Sequence, residues 1–219
     1  MEQRAGGILL PVFALPGPYG IGTLGQEALE FIDFLSSAGQ KYWQILPLVP
    51  PGDSNSPYMS PSSFAGNPLL LDLEELAEEG LLTAEELKSA ASPSLDRVDY
   101  ALLHKVRPAL LRKAWERGRD KYAGPLLEFL DQEADWLPDY ALFMALHDHY
   151  QGLPLAQWPS EIRARSTASM VRYGGLLADA SACHAFAQFL FFRQWERVKK
   201  YANGKGISII GDLPIYVSL

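Results

Sequence analysis

Two groups of residues in this 219-residue chain carry side chains suited to gripping a sugar-like ligand. The first is the run Asp53-Ser54-Asn55-Ser56-Pro57-Tyr58-Met59-Ser60, where hydroxyls, an amide and an aromatic ring share a segment stiffened by proline. A sugar is bound by such a set, its hydroxyls hydrogen-bonded and its C–H face laid on a ring. A well-packed structural loop has the same composition, so both readings stand at this point. The second is Asp212, in the run Ile210-Gly211-Asp212-Leu213-Pro214. A lone carboxylate is costly to bury, and at the carboxyl end of a strand in an alternating strand–helix fold it faces a ligand. A helix-capping or loop-bracing role is the alternative for Asp212.

Other chemistries fail on spacing. Gly20-Ile21-Gly22-Thr23-Leu24-Gly25 matches G-x-G-x-x-G, the pattern of dinucleotide-binding loops. That mechanism needs the first glycine directly after a strand and an acidic residue about 20 positions on. Here Pro16 and Pro18 intervene and the next strand ends at Leu46-Pro47, so a glycine-rich loop capping a helix is expected instead. His147 and His149 diverge by about 200° on a helix, whereas a helical zinc pair needs a spacing of three or four. No metal site is expected. There is no G-x-S-x-G elbow, and Gly204-Lys205 runs into Gly206 rather than Ser or Thr. Cys183, the one cysteine, excludes an internal disulfide and reads as a core residue. Trp43, Trp115, Trp136, Trp158 and Trp195 read as core too, which leaves Tyr58 as the aromatic with a binding role.

The elements that must position Tyr58 and Asp212 follow from the apolar pattern. Residues 7–12 read as a buried strand, 26–38 as a helix with Leu29, Ile32 and Leu35 on one face, and 41–48 as a second strand. Gly39 is placed to cap the helix. Strand, helix, strand implies a parallel pair. Residues 49–68 contain five prolines and five serines and show no period. Connections beyond about 12–15 residues are usually functional or disordered, and Tyr58, Met59 and Phe64 give this one groups to pack, so a functional loop is expected. Residues 72 to about 175 are almost wholly helical in pattern, with helix starts at Asp72/Glu75 and Thr83/Glu86 and breaks or kinks at Pro108, Pro125, Pro138 and Pro154. A long helix at 179–203 and a third buried strand at 207–214 complete the pattern. The class is α/β with an inserted helical subdomain.

Composition narrows the function. With 48% hydrophobic residues the chain is an ordinary globular sequence. Its net charge of −7 makes nucleic acid a poor partner. The longest unbroken apolar run, residues 140–146, is seven residues, against about 20 for a membrane-spanning helix. No membrane association is expected, and a cytoplasmic location is.

Several stretches together resemble the amylomaltases, the 4-α-glucanotransferases of the α-amylase clan. They are residues 7–10, 15–22, 39–48, Ser56-Pro57-Tyr58, 64–68, 140–143, 192–195 and 210–217, in family order and at family spacing. The resemblance implies the N-terminal part of a (β/α)8 TIM barrel. Residues 1–71 would hold the first barrel strands, first helix and glucan-binding loop, residues 72–176 the helical insertion, and residues 177–219 the second barrel helix and third strand. It also implies transfer of α-1,4-glucan segments, from maltooligosaccharides or starch- or glycogen-derived α-glucans, by a retaining double displacement between two carboxylates. No cofactor is implied. The nucleophile and the acid/base would lie after Leu219, so no catalytic residue is assigned within the chain, and the 219 residues alone would be inactive. Asp212 corresponds to the third-strand aspartate lining the donor-sugar subsite, and Tyr58, with Ser56 beside it, to the loop tyrosine of the same subsite. Many members carry an aspartate where this chain has Asn55. An α-glucan hydrolase of the same clan, or a non-catalytic glucan-binding module, are the alternative readings.

Overall fold

The apolar run that opens the chain is a strand only at β1 (Gly7–Leu9) in the computed structural model, which describes residues 4–52, 55–92 and 97–217. At Pro11 the chain turns into a single 3-10 turn over Val12–Ala14. Helix α1 (Gln26–Ser37) buries Ala28, Ile32 and Leu35. Gly39, at φ 69°, closes it in the left-handed conformation that suits glycine. Strand β2 (Tyr42–Gln44) follows, and the long loop carries a two-residue strand, β3 (Met59–Ser60).

The helical stretch contains α2 (Leu73–Glu78), α3 (Ala84–Ala90), α4 (Tyr100–Gly118), α5 (Ala123–Gln132), α6 (Leu137–His149), α7 (Ser160–Arg163) and α8 (Thr167–Leu176). Asp72 caps α2 through the Glu74 N–H, and Thr83 with Glu86 forms a complete capping box on α3. Pro108 does not end its helix: α4 continues through it, with Leu103, Arg107, Leu110, Ala114 and Trp115 buried. Burial of that face outweighs the one hydrogen bond proline removes. Pro125 and Pro138 sit in the first turns of α5 and α6, where a missing N–H costs little.

Helix α9 (Ala178–Gly204) returns the chain to strand β4 (Ser208–Ile210), and β5 (Tyr216–Val217) follows Asp212. The main sheet is parallel with order β1-β2-β4, and Ile8, Trp43 and Ile209 lie side by side in register. The strands are shorter than the apolar runs suggest, because Pro11 and Pro47 offer no N–H to extend the ladder. They are also less buried than expected. On one face Ile8 and Ile209 flank the fully buried Trp43, while on the other Leu9 and Ile210 are 54% and 43% exposed. A separate parallel pair joins β3 to β5, with Met59 opposite Tyr216 and Ser60 opposite Val217.

Helix α9 organises the core. Phe186, Leu190, Phe191, Val198 and Ala202 pack with Leu24, Ile32, Leu35, Leu69, Leu70, Leu71 and Leu73 in one cluster that also takes in Leu103, Leu110 and Trp115 of α4. Two of its buried residues are glutamines with no exposed surface. Gln188 accepts from the Gly66 N–H at 2.7 Å and donates to the Gly66 carbonyl at 2.9 Å. Six residues on, Gln194 does the same for Asp72, at 2.9 and 3.3 Å. Gly66 must be glycine here, since a Cβ would lie 2.0 Å from the Phe191 ring. Among the described residues no single helix is long and apolar enough to cross a membrane.

Replacing Gln188 by Leu keeps the apolar packing but orphans both backbone groups of Gly66. At about 1–3 kcal/mol for each of the two buried unsatisfied groups, the protein should lose about 2–6 kcal/mol of stability. Urea unfolding checks this, and a loss below about 0.5 kcal/mol, the range of an ordinary surface change, would show that the clamp contributes nothing.

Candidate functional site

The loop that carries Tyr58 is closed by its own backbone. The Gly52 N–H donates to the Met59 carbonyl at 2.8 Å, and the Asn55 N–H donates to the Gly52 carbonyl at 2.9 Å. Asn55 takes φ 56°, a left-handed conformation that asparagine tolerates better than most residues. Ser56 braces the turn: its Oγ accepts from the Tyr58 N–H at 3.3 Å and its carbonyl from the Met59 N–H at 3.3 Å. Asp53 and Ser54, part of the same candidate run, lie outside the described residues.

Beyond the turn, β3 lies against β5, and the Tyr216 N–H donates to the Tyr58 carbonyl at 3.1 Å. Asp212 stands two residues past the end of β4, on the connection to β5. The two chain segments therefore meet at the carboxyl end of the parallel sheet. There the Tyr58 hydroxyl donates to Asp212 Oδ2 at 2.8 Å, across 154 positions of sequence. The other carboxylate oxygen, Oδ1, accepts from the Leu213 N–H at 2.8 Å. Asp212 thus braces its own loop and holds the tyrosine, with Oδ2 on the side of the phenol. The hydrogen bond to Asp212, then desolvation, then the carboxylate charge, hold the Tyr58 phenol above its ordinary value.

The three residues singled out in the sequence do converge, though by different means. Tyr58 and Asp212 meet through their side chains, while Ser56 acts on the backbone of the tyrosine turn. His104 is a neighbour that the linear pattern did not reveal. Its Nε2 lies 3.1 Å from the Asn55 Oδ1, the donor in the Nε2–H tautomer, and its ring stacks on Tyr100 at 6.3 Å. This ties the loop to the first turns of α4. The one signal in the sequence is the Tyr100/His104 spacing of four, which places both rings on one helical face.

The remaining candidates have structural roles. The glycine-rich run at 20–25 leads into α1 with Gly25 as its N-cap, and a Cβ on Gly25 would lie 2.5 Å from the Asp72 carboxyl carbon. His147 stacks on Phe143, and His149 packs edge-on to Tyr150 and Tyr173. Burial pushes the Cys183 thiol up to about 11, which leaves it an inert thiol at neutral pH. Among the described residues no three His, Cys, Asp or Glu side chains converge as a metal site would require.

Comparison with known proteins gives this geometry a context. A family model described as 4-alpha-glucanotransferase matches residues 10–219. The chain is 47% identical over 220 residues to a 4-alpha-glucanotransferase of Thermus thermophilus, covering 98% of this chain and 43% of that protein. It is 43% identical over 222 residues to one of Synechocystis, covering 100% of this chain and 44% of that protein. Among solved structures it superposes on an amylomaltase from Streptococcus agalactiae in complex with acarbose, with a TM-score of 0.94 and 40% identity. That match covers 99% of this chain and 44% of the other. An amylomaltase from Corynebacterium glutamicum shares the fold at a TM-score of 0.73 and 17% identity, over 97% of this chain and 30% of the other. The chain thus spans less than half the length of the relatives it matches. With a parallel sheet, a tyrosine and an aspartate joined at its carboxyl end, and a family match over almost all its residues, this chain belongs to the 4-alpha-glucanotransferase family.

Proposed function

We propose that the chain forms the amino-terminal part of a (β/α)8 barrel whose whole performs 4-α-glucanotransfer, and that Asp212, Tyr58 and Ser56 belong to its donor-sugar subsite. The observation that carries this reading is the Tyr58–Asp212 hydrogen bond at the carboxyl end of the parallel strands, where alternating strand–helix barrels place their ligands. Residues 1–71 and 177–219 then supply barrel elements and residues 72–176 a helical subdomain. The acarbose complex of the Streptococcus agalactiae relative supports an α-glucan as ligand. The carboxylate nucleophile and the acid/base are expected after Leu219. The residues in hand need no metal or organic cofactor for their part, and a cytoplasmic setting belongs to the same reading.

In this role Asp212 accepts hydrogen bonds from sugar hydroxyls with the lone pairs that Tyr58 and Leu213 leave open. An ionised carboxylate offers about four such positions, and charge-assisted bonds to it are about twice as strong as neutral ones. The phenol donates its proton to Asp212, so its oxygen is left as an acceptor and its ring as an apolar face. Ser56 sets the turn on which that ring stands. Substrate positioning of this kind lowers the barrier by fixing the donor sugar where carboxylates outside this segment act on it. Retaining transfer then requires a glucan hydroxyl, rather than water, to reach the glycosyl intermediate.

Full-length protein incubated with maltotriose should yield glucose and longer maltodextrins while total reducing ends stay constant; a rise in reducing ends would indicate hydrolysis instead. In Asp212→Ala, kcat/KM for this transfer should fall by about 100-fold, corresponding to about 2.7 kcal/mol, with an unchanged circular dichroism spectrum. Wild-type turnover in that variant would refute the assignment.

A second outcome concerns the phenol itself. In Asp212→Ala both the hydrogen bond and the charge are lost, so the Tyr58 titration should move down toward the ordinary tyrosine value of about 10. Carbon-13 NMR of labelled tyrosine, assigned with Tyr58→Phe, measures it, and an unchanged midpoint would contradict the contact.

A further inference from the structure

The turn that presents Tyr58 is tied to the sheet at its base and to a helix near its tip. At the base the Gly52 N–H reaches the Met59 carbonyl, and β3 pairs with β5. Near the tip, Asn55 Oδ1 lies 3.1 Å from Nε2 of His104 on α4. That nitrogen donates in the Nε2–H tautomer and in the imidazolium alike, so the bond does not require one charge state. Helix α4 is a firm anchor. Leu103, Leu110 and Trp115 bury it in the main core, and Tyr100 packs against the same cluster. The His104 ring in turn lies on that of Tyr100 at an interplanar angle of 28°. The core thus reaches the turn through Tyr100, His104 and Asn55 in succession.

Stability does not call for either side chain of this contact. Asn55 holds φ 56°, where glycine would serve with less strain and no side chain at all. His104 is exposed and adds nothing to the buried stripe of α4. Histidine is also a poorer helix former than alanine, leucine or lysine. The hydrogen bond itself is exposed, so water replaces either partner at small cost to the fold.

What the contact fixes is position. Three residues separate Asn55 from Tyr58, a reach of at most about 11 Å, so a shift at the tip is passed on to the phenol. The Tyr58–Asp212 bond is 2.8 Å long, and a displacement of about 1 Å would break it. In substrate positioning, an error of that size can cost about 100-fold in rate. We infer that His104 is a positioning residue of the donor-sugar subsite: acting through Asn55, it locks the tip of the turn to α4 and holds the Tyr58 ring at Asp212. The inference rests on the glucanotransferase reading for its reaction and goes beyond it in adding a residue that acts only through another.

The test uses full-length protein with maltotriose and four variants: His104→Phe, His104→Gln, Asn55→Gly, and His104→Phe combined with Asn55→Gly. Phenylalanine keeps a ring on Tyr100 without the donor, glycine keeps the left-handed backbone without the acceptor, and glutamine restores an N–H donor. Melting temperatures should stay within about 2 °C of wild type, as for surface changes. The kcat/KM should fall about five-fold in His104→Phe and in Asn55→Gly, no further in the double variant, and less than about two-fold in His104→Gln. Wild-type turnover in His104→Phe, multiplying losses in the double variant, or no rescue by glutamine would overturn the assignment. If wild type fails to disproportionate maltotriose, the transferase reading fails instead. The positioning role is then judged by amide hydrogen exchange at Tyr58 and Met59. Exchange about five-fold faster in His104→Phe but not in His104→Gln supports it, and equal exchange in all three proteins refutes it.

Discussion

A loop without regular structure can be buried only if its backbone N–H and carbonyl groups find partners. Here a 3-10 turn at Pro68–Leu70 and bonds to Leu24 and Leu48 meet part of that constraint, and a helix meets it at both ends of the segment. Gln188 and Gln194 project from α9 and each satisfies both backbone groups of one loop residue, Gly66 and Asp72. The spacing of the two glutamines matches the spacing of the two loop residues, so the loop runs parallel to α9 over this stretch. The clamp fixes both ends of the segment that puts Leu69, Leu70 and Leu71 in the main core, the β3–β5 pairing holds residues 59–60, and Tyr58 is thereby set opposite Asp212.

Charge is arranged with the same economy. Arg107 on α4 is almost fully buried, donates to the Leu71 carbonyl at 3.0 Å, and lies in the field of Asp72, the residue that Gln194 clamps. Desolvation brings its guanidinium down to about 10, which still leaves it charged at neutral pH. Arg193 and Arg197 on α9 reach Glu79 and Glu75 at 2.6 and 2.8 Å, so α2, which follows the loop, is tied to the same helix. The loop therefore has a rigid frame on its far side. Its near side ends in the Tyr58–Asp212 pair.

Features set by neighbours in sequence were legible before the fold was known. The Thr83/Glu86 capping box, the Gly39 cap and the buried stripe of α1 follow from local spacing, and each is present. Asp212 and Tyr58 were legible as residue types in telling positions, although their mutual hydrogen bond was not. Strand lengths were overestimated because an apolar run does not reveal where a proline ends the ladder, and Leu9 and Ile210 proved exposed because they lie on the sheet face opposite Ile8, Trp43 and Ile209. The β3–β5 pair and the His104–Asn55 contact join residues 157 and 49 positions apart, as with Met59 and Tyr216. No local period encodes such pairings. Pro108 shows the converse: a strong local breaker overridden by the buried face of α4.

The central claim is that Tyr58 and Asp212 act as one unit on the sugar. A double-mutant cycle on full-length protein, with Tyr58→Phe, Asp212→Asn and the pair, measures that directly through kcat/KM for maltotriose transfer. If the two side chains act together, the double variant loses little more than Asp212→Asn alone, with a coupling of about 1–2 kcal/mol. Additive losses, with coupling below about 0.3 kcal/mol, would contradict it.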